Sequence, residues 1–201
     1  MNELRSHGKS MVLPISSLML DPYNPRLPPK LQGESQENLA LHLEVGFDPF
    51  TVAESIAHHG YFGSEPLIGI KSETSDGKFI VVEGNRRLVA LLGLAQEQIR
   101  SEFPDPEKWD ALAADAGVTL ETKIPVVLME HRLAATPIVG FRHISGILQW
   151  QPFAQARYVA RLIDEEGMTI EKVAETIGIE KKKVAHLYRD QAIAARAAST
   201  G

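Results

Sequence analysis

Two apolar runs, Leu67–Ile70 and Phe79–Val82, flank the hexapeptide Ser72–Gly77, and the second run passes through Glu83 and Gly84 straight into a stretch with apolar residues at 88, 91 and 92. Asp76-Gly77 has the turn chemistry of an antiparallel hairpin, and the spacing of Leu88, Leu91 and Leu92 is that of one helix face, with Gly93 near its end. A hairpin whose second strand hands over to a helix restricts the fold to a class mixing sheet and helix. At the handover stand Gly84, Asn85, Arg86 and Arg87. A strand end, a glycine and a helix N-terminus leave backbone N–H groups without partners, so cations placed there make a site for an anion. Asn85 is an N-cap residue type, and Gly84 can adopt a positive φ or let a ligand approach the backbone. Arg86 and Arg87 point about 100° apart on a helix, so one can reach a ligand while the other braces a carboxylate. The same pair reads equally as two ion-paired side chains with no ligand.

The flanking segments fill in the class. Val12–Leu20 is β-rich and runs into a loop stiffened by Pro22, Pro25, Pro28 and Pro29. Residues 34–62 have helical spacing, with Val52 and Ile56 four apart and Gly60 as a C-terminal stop. Residues 105–117 predict a further helix and residues 122–130 a buried strand. From about Ala135 the chain turns wholly helical, with an amphipathic helix from Pro152 and two or three more beyond it. The expectation is an α+β domain over residues 1–134 and a small all-α domain over 135–201.

With 201 residues, 44% of them hydrophobic, the chain can bury a core. Its formal charge of -5 makes any nucleic-acid contact the work of a local basic patch. Absence of cysteine excludes disulfides, thiolate metal sites and thiol catalysis, and fits a cytoplasmic location. The opening residues have a short apolar run broken by Pro14, so neither a signal peptide nor a membrane span is expected. His58 and His59 are adjacent and diverge on a helix, and the seven histidines have no zinc spacing, so no metal site is expected among them. Trp109 and Trp150 read as filling the core or the domain junction, and no Walker loop or Ser/His/Asp arrangement can be assembled.

Taken in order, "ISSLMLDPYNPR", "VAESIAHHGYFGSEPLIGI", "KFIVVEGNRRLVALLGL" and the strand "IPVVLME" resemble the N-terminal domain of ParB-like proteins, the ParB/sulfiredoxin fold, over roughly residues 12–130. The resemblance implies a nucleotide-binding domain that takes a nucleoside triphosphate, CTP or ATP, with or without Mg2+. It implies that Gly84, Asn85, Arg86 and Arg87 bind phosphates and that the segment holding Gly60, Phe62, Glu65 and Pro66 contacts the nucleotide. ParB-like proteins that hydrolyse CTP usually have glutamate after the box glycine, where this chain has Asn85, with its carboxylate one step earlier at Glu83. Asparagine cannot accept a proton at neutral pH, so general-base work would fall to Glu83 or vanish. Slow or absent hydrolysis follows, with Asn85→Glu expected to raise turnover. The family's later Glu-Asn-x-x-Arg box has no clean counterpart; Arg142 and His143 are the nearest residues, and both read equally as structural.

In the tail, Ala174, Gly178 and Val184 follow the pattern of a helix-turn-helix. The second helix would present Lys181, Lys182, Lys183, His186 and Arg189 to phosphates or base edges. The alternative is a packed hairpin whose lysines are solvated, with Glu171 and Glu175 nearby. Together these readings lead to a ParB-like nucleotide-binding, DNA-associated switch acting as a homodimer. Two alternatives stand beside it: a nucleotide-dependent enzyme (NTPase, kinase or nuclease) using Glu83, and an interaction module whose pocket is vestigial.

Overall fold

The computed structural model describes residues 8–145 and 150–199; the basic opening, residues 1–7, and residues 146–149 lie outside the described residues. The chain is α+β. It divides into two compact units, Met1–Ala134 and Ala135–Gly201.

In the first unit, strands β1 (Lys9–Pro14) and β2 (Leu18–Leu20) are separated by a single 3-10 turn at Ile15–Ser17. Helices α1 (Gln36–Phe47) and α2 (Pro49–His59) follow, then β3 (Leu67–Lys71), β4 (Phe79–Glu83), α3 (Asn85–Ala95), α4 (Glu97–Arg100), α5 (Pro106–Ala116) and β5 (Lys123–Met129). The five strands form one sheet in the order β1-β5-β3-β4-β2. The β1/β5 and β3/β4 pairs are antiparallel, while β5/β3 and β4/β2 are parallel. The expected hairpin is therefore the middle of the sheet. Its register shifts between Ile68 and Gly69, which oppose Glu83 and Val81, so Val82 is the extra residue of a bulge. That bulge lies one step before the handover to α3.

The short edge strand β2 is closed off by a side chain. Gln36, the first residue of α1, accepts from Leu20 N at 2.6 Å and donates to Leu20 O at 3.2 Å, standing in for a neighbouring strand. The stretch over residues 34–62 holds two helices. Asp48 ends α1 in the left-handed region at φ 49 and Pro49 opens α2, where a missing N–H costs nothing. The buried face of α2 carries Phe50, Ala53 and Ile56, so Ile56 faces inward as its spacing suggested whereas Val52 is only partly covered.

Packing explains α3. Leu88, Val89, Ala90, Leu91, Leu92 and Leu94 are all buried, so the helix is enclosed on most of its circumference. Gly93 owes its place to packing rather than to the helix end, because a Cβ there would lie 2.5 Å from Cζ3 of Trp109. Trp109 is fully buried and meets the rings of Phe50 and Phe103 at 5.1 and 5.0 Å. Its indole N–H donates to Glu44 Oε1 at 3.1 Å. Trp109 is thus a core residue, as read from the sequence.

Helix α6 (Arg132–Gly140) contains the division between the units and continues into a π-helical turn at Phe141–Ser145. The second unit then has α7 (Pro152–Asp164), α8 (Ile170–Ile177) and α9 (Lys181–Ser199). Its core includes Val159, Leu162, Val173, Ile177, Val184 and Leu187. Trp150 is buried here, stacked on His143 with centroids 4.3 Å apart and edge-on to Tyr158 at 5.3 Å. No described helix is long and apolar enough to cross a membrane.

Candidate functional site

The junction between β4 and α3 is made by Gly84, which takes the N-cap position at φ 98. A Cβ at Gly84 would collide with the Leu67 side chain and stand 3.2 Å from Arg87 Nη2, so both the turn and the approach of Arg87 require glycine. Asn85 is consequently not the helix cap expected of it. It is the first helical residue, 3% exposed, and its amide is spent on the interior: Nδ2 donates to Val81 O at 2.6 Å and Oδ1 accepts from Asp21 N at 2.9 Å. Those bonds peg β4 and α3 to the chain leaving β2. The site for an added carboxylate implied by Asn85→Glu is therefore a closed interior position.

Arg86 and Arg87 do diverge, and both find carboxylates. Arg87, 17% exposed, donates through Nη2 to Glu83 Oε2 at 3.0 Å and lies 3.5 Å from Glu65 Oε2 through Nη1. Nη1 also donates to the Glu65 carbonyl and lies 3.4 Å from the Tyr61 hydroxyl, which itself donates to that carbonyl at 2.8 Å. Burial pushes the Tyr61 phenol above its ordinary range against the opposing pull of Arg87, so Tyr61 stays a neutral donor. Arg86 donates through Nε and Nη2 to the carbonyl of Asp48, at 3.0 and 2.7 Å, and reaches Asp48 Oδ2 at 3.4 Å.

A third guanidinium, which was not anticipated, feels the charges of this region. Arg26, in the proline-rich loop, lies over the Phe47 ring at 5.2 Å. Burial first, and then the charge of Arg86, hold its pKa below the ordinary arginine value, while Glu83 pulls it back up. Among the described residues no carboxylate pairs with it directly, so it is a partly desolvated cation within electrostatic reach of Arg86 and Glu83. The loop that carries it is anchored by Asp21, 1% exposed, whose carboxylate takes a two-pronged contact from Arg132 at 2.5 and 2.8 Å and accepts from Tyr23 N. Proline content marked this loop as rigid; the direction of Arg26 is a tertiary fact, with only its sign of charge visible in sequence.

Of the other expected residues in the first unit, Glu83 is buried and faces Arg87 as an ion-pair partner. Glu65 is exposed at the rim and also faces Arg87. Gly60 ends α2 at φ 75, and Phe62 is exposed with its ring lying against His59. Pro66 precedes β3, half-buried. Tyr61 lies within the segment around Gly60 that the resemblance named, whereas Asp48, Asp21 and Arg132 are participants that the sequence reading left out. Among the described residues no three histidine, aspartate or glutamate side chains are grouped to hold a metal ion.

Arg142 and His143 lie in the second unit, within the π-helical turn, and the His143 ring is buried against Trp150. In the same unit Gly178 ends α8 at φ 71, and Ala174 and Val184 are buried on either side of the turn. The cations of α9 are not equivalent. Lys181 lies 3.4 Å from Glu171, Lys183 Nζ donates to the carbonyl of Ile144 at 3.0 Å, and His186 lies 3.4 Å from Asp190. Lys182 and Arg189 are exposed and have no side-chain partner among the described residues.

No protein-family model matches the chain, and no curated protein is similar to it. Among solved structures, the C-terminally truncated chromosome-partitioning protein ParB from Caulobacter crescentus complexed with CTP-gamma-S is similar at 22% identity and a TM-score of 0.40, covering 90% of this chain and 78% of that one. The same truncated protein complexed to the centromeric parS site is similar at 18% identity and a TM-score of 0.44, covering 89% of this chain and 70% of that one. Likeness of this degree assigns no side chain to a site.

Proposed function

We propose that the first unit binds a polyphosphate, as the triphosphate of CTP or ATP, through Arg26, Arg86 and Arg87 at the Gly84 junction, and that the second unit contacts DNA through α9, the whole acting as a nucleotide-responsive switch. The observation that carries this reading is a helix that begins at Gly84 with two successive arginines, Arg86 and Arg87, beside a partly desolvated Arg26 that feels the charge of Arg86 and has no carboxylate paired with it among the described residues. Clustered like charges in a partly buried place cost free energy unless an anion relieves them. The nucleoside part rests on the sequence resemblance of the boxes around Gly60 and Gly84. A polyphosphate would draw Arg87 away from Glu65 and Arg86 away from Asp48, while Glu83 stays to orient Arg87.

Mg2+ does not fit the chain's own residues: Glu83, Glu65 and Asp48 each face an arginine, and no step is assigned to a metal. Catalysis by Glu83 likewise has no support from its placement on Arg87. A second reading, an interaction module with a vestigial site, is favoured by the same ion pairs, since Arg86 and Arg87 already have partners within the chain. Calorimetric titration with the four ribonucleoside triphosphates separates the two. Binding of one or more, weakened by about 1.5–3 kcal/mol in Arg86→Ala and Arg87→Ala, is expected. Wild-type affinity in both variants would remove the assignment, and silence toward all four nucleotides would leave the interaction module.

A further inference from the structure

Asp48 is the only described residue other than glycine with a positive φ, at 49°. It closes α1 and caps α2, its Oδ1 accepting from Thr51 N at 3.4 Å and its Oδ2 from the Thr51 hydroxyl at 2.7 Å. The backbone turn this requires aims the Asp48 carbonyl at Arg86, which donates to it twice, and places Oδ2 3.4 Å from the same guanidinium. The hydroxyl of Thr51, followed by its backbone N–H and by Arg86 and Lys108, outweighs desolvation and holds the carboxyl below the ordinary carboxylate range, so it remains charged. Glu44, one turn back on α1, accepts from the Trp109 indole and is within electrostatic reach of Asp48.

We propose that Asp48 is a built-in competitor for Arg86, an internal anion that a bound polyphosphate must displace and that thereby sets the affinity of the site. The inference rests on the polyphosphate reading of Arg86. It adds a positioning residue for which no sequence motif exists, and it makes the α1–α2 junction the element that loses a tether when the ligand arrives. A phosphoryl oxygen replaces Asp48 Oδ2 on a half-exposed guanidinium, so the competition is between two solvent-screened contacts and its effect is moderate.

The test uses the full chain and inorganic tripolyphosphate, measured by calorimetry at low ionic strength. Asp48→Asn keeps the tolerance for left-handed backbone and a capping oxygen but loses the charge; Asp48→Gly keeps the backbone and loses the side chain altogether. Both are expected to bind tripolyphosphate about two- to five-fold more tightly than wild type, the range of an exposed ion pair. The gain should vanish when each substitution is combined with Arg86→Ala, and thermal unfolding of each variant checks that it is folded. Unchanged or weaker binding by both folded variants, beside measurable wild-type binding, overturns the competitor and leaves the site standing. An equal gain in the Arg86→Ala background also overturns it, because the effect would then be general charge. Absence of tripolyphosphate binding in the wild type and in every variant removes the site itself and the inference with it.

Discussion

Replacing Asn85 tests whether its amide is an interior peg or a ligand to phosphate. In Asn85→Ala the N–H of Asp21 loses its acceptor in a place where neither residue is accessible to water, Asn85 being 3% and Asp21 1% exposed. A buried donor left without a partner costs about 1–3 kcal/mol, and loss of the Nδ2 bond to Val81 O adds about 0.5–1.5 kcal/mol. The expected destabilisation is therefore roughly 2–4 kcal/mol, a large share of the stability of a domain of this size. Asn85→Asp sharpens the case. The acid keeps an acceptor for Asp21, and when protonated it can still donate to Val81 O; when ionised it buries a charge with its donor gone. Burial raises the pKa of such an acid in the folded state, so its folding free energy is most favourable below the ordinary aspartate value of about 3.9 and is lost as pH rises through the folded pKa. The assay is urea unfolding followed by Trp109 fluorescence in a Trp150→Phe background, from acid to neutral pH. A neutral-pH change below about 0.5 kcal/mol in Asn85→Ala, or an Asn85→Asp variant indifferent to pH, would refute the interior role and return Asn85 to the ligand site.

Two further predictions concern other parts of the molecule. Burial, reinforced by Asp48, raises the pKa of Glu44 against the opposing Trp109 bond and Lys108, and its Oε2 is buried without a hydrogen-bond partner. A raised folded pKa means that its contribution is fully present at acid pH and lost as pH rises, so Glu44→Gln should be more stable than wild type at neutral pH, with the gap closing as pH falls below about 4.3; unfolding curves at both pH values check this. For α9, Lys182 and Arg189 have no side-chain partner among the described residues and Lys183 is tied to Ile144, so Lys182→Ala with Arg189→Ala should lower the log–log salt slope of duplex binding by about 1.8 while Lys183→Ala changes it less. An equal loss from Lys183→Ala, or no duplex binding at low salt with and without nucleotide, would return the tail to a packed interaction hairpin.

The amino-acid sequence by itself determined what local chemistry can determine. Asp76-Gly77 between two apolar runs permits little except a hairpin, and the 3.6-residue spacing of Leu88, Leu91 and Leu92 permits little except a helix. The anion site proposed for Gly84 to Arg87 likewise starts from local features, a helix N-terminus and two adjacent charges. Break points were less legible: the left-handed turn at Asp48 divides a stretch of helical periodicity, its cap supplied locally by Thr51 but its carbonyl held by Arg86, 38 positions away, which no window of neighbouring residues contains. Only the tertiary structure decided what each polar side chain faces. Asn85 turned inward because Asp21, 64 positions earlier, needed an acceptor for its buried N–H. Arg26 came under the charge of Arg86 only in the assembled fold, and Gly93 was required because Trp109 packs on it. Pairings across such distances depend on how strands order and helices pack, and the free energy that selects them belongs to the assembled core rather than to any one segment.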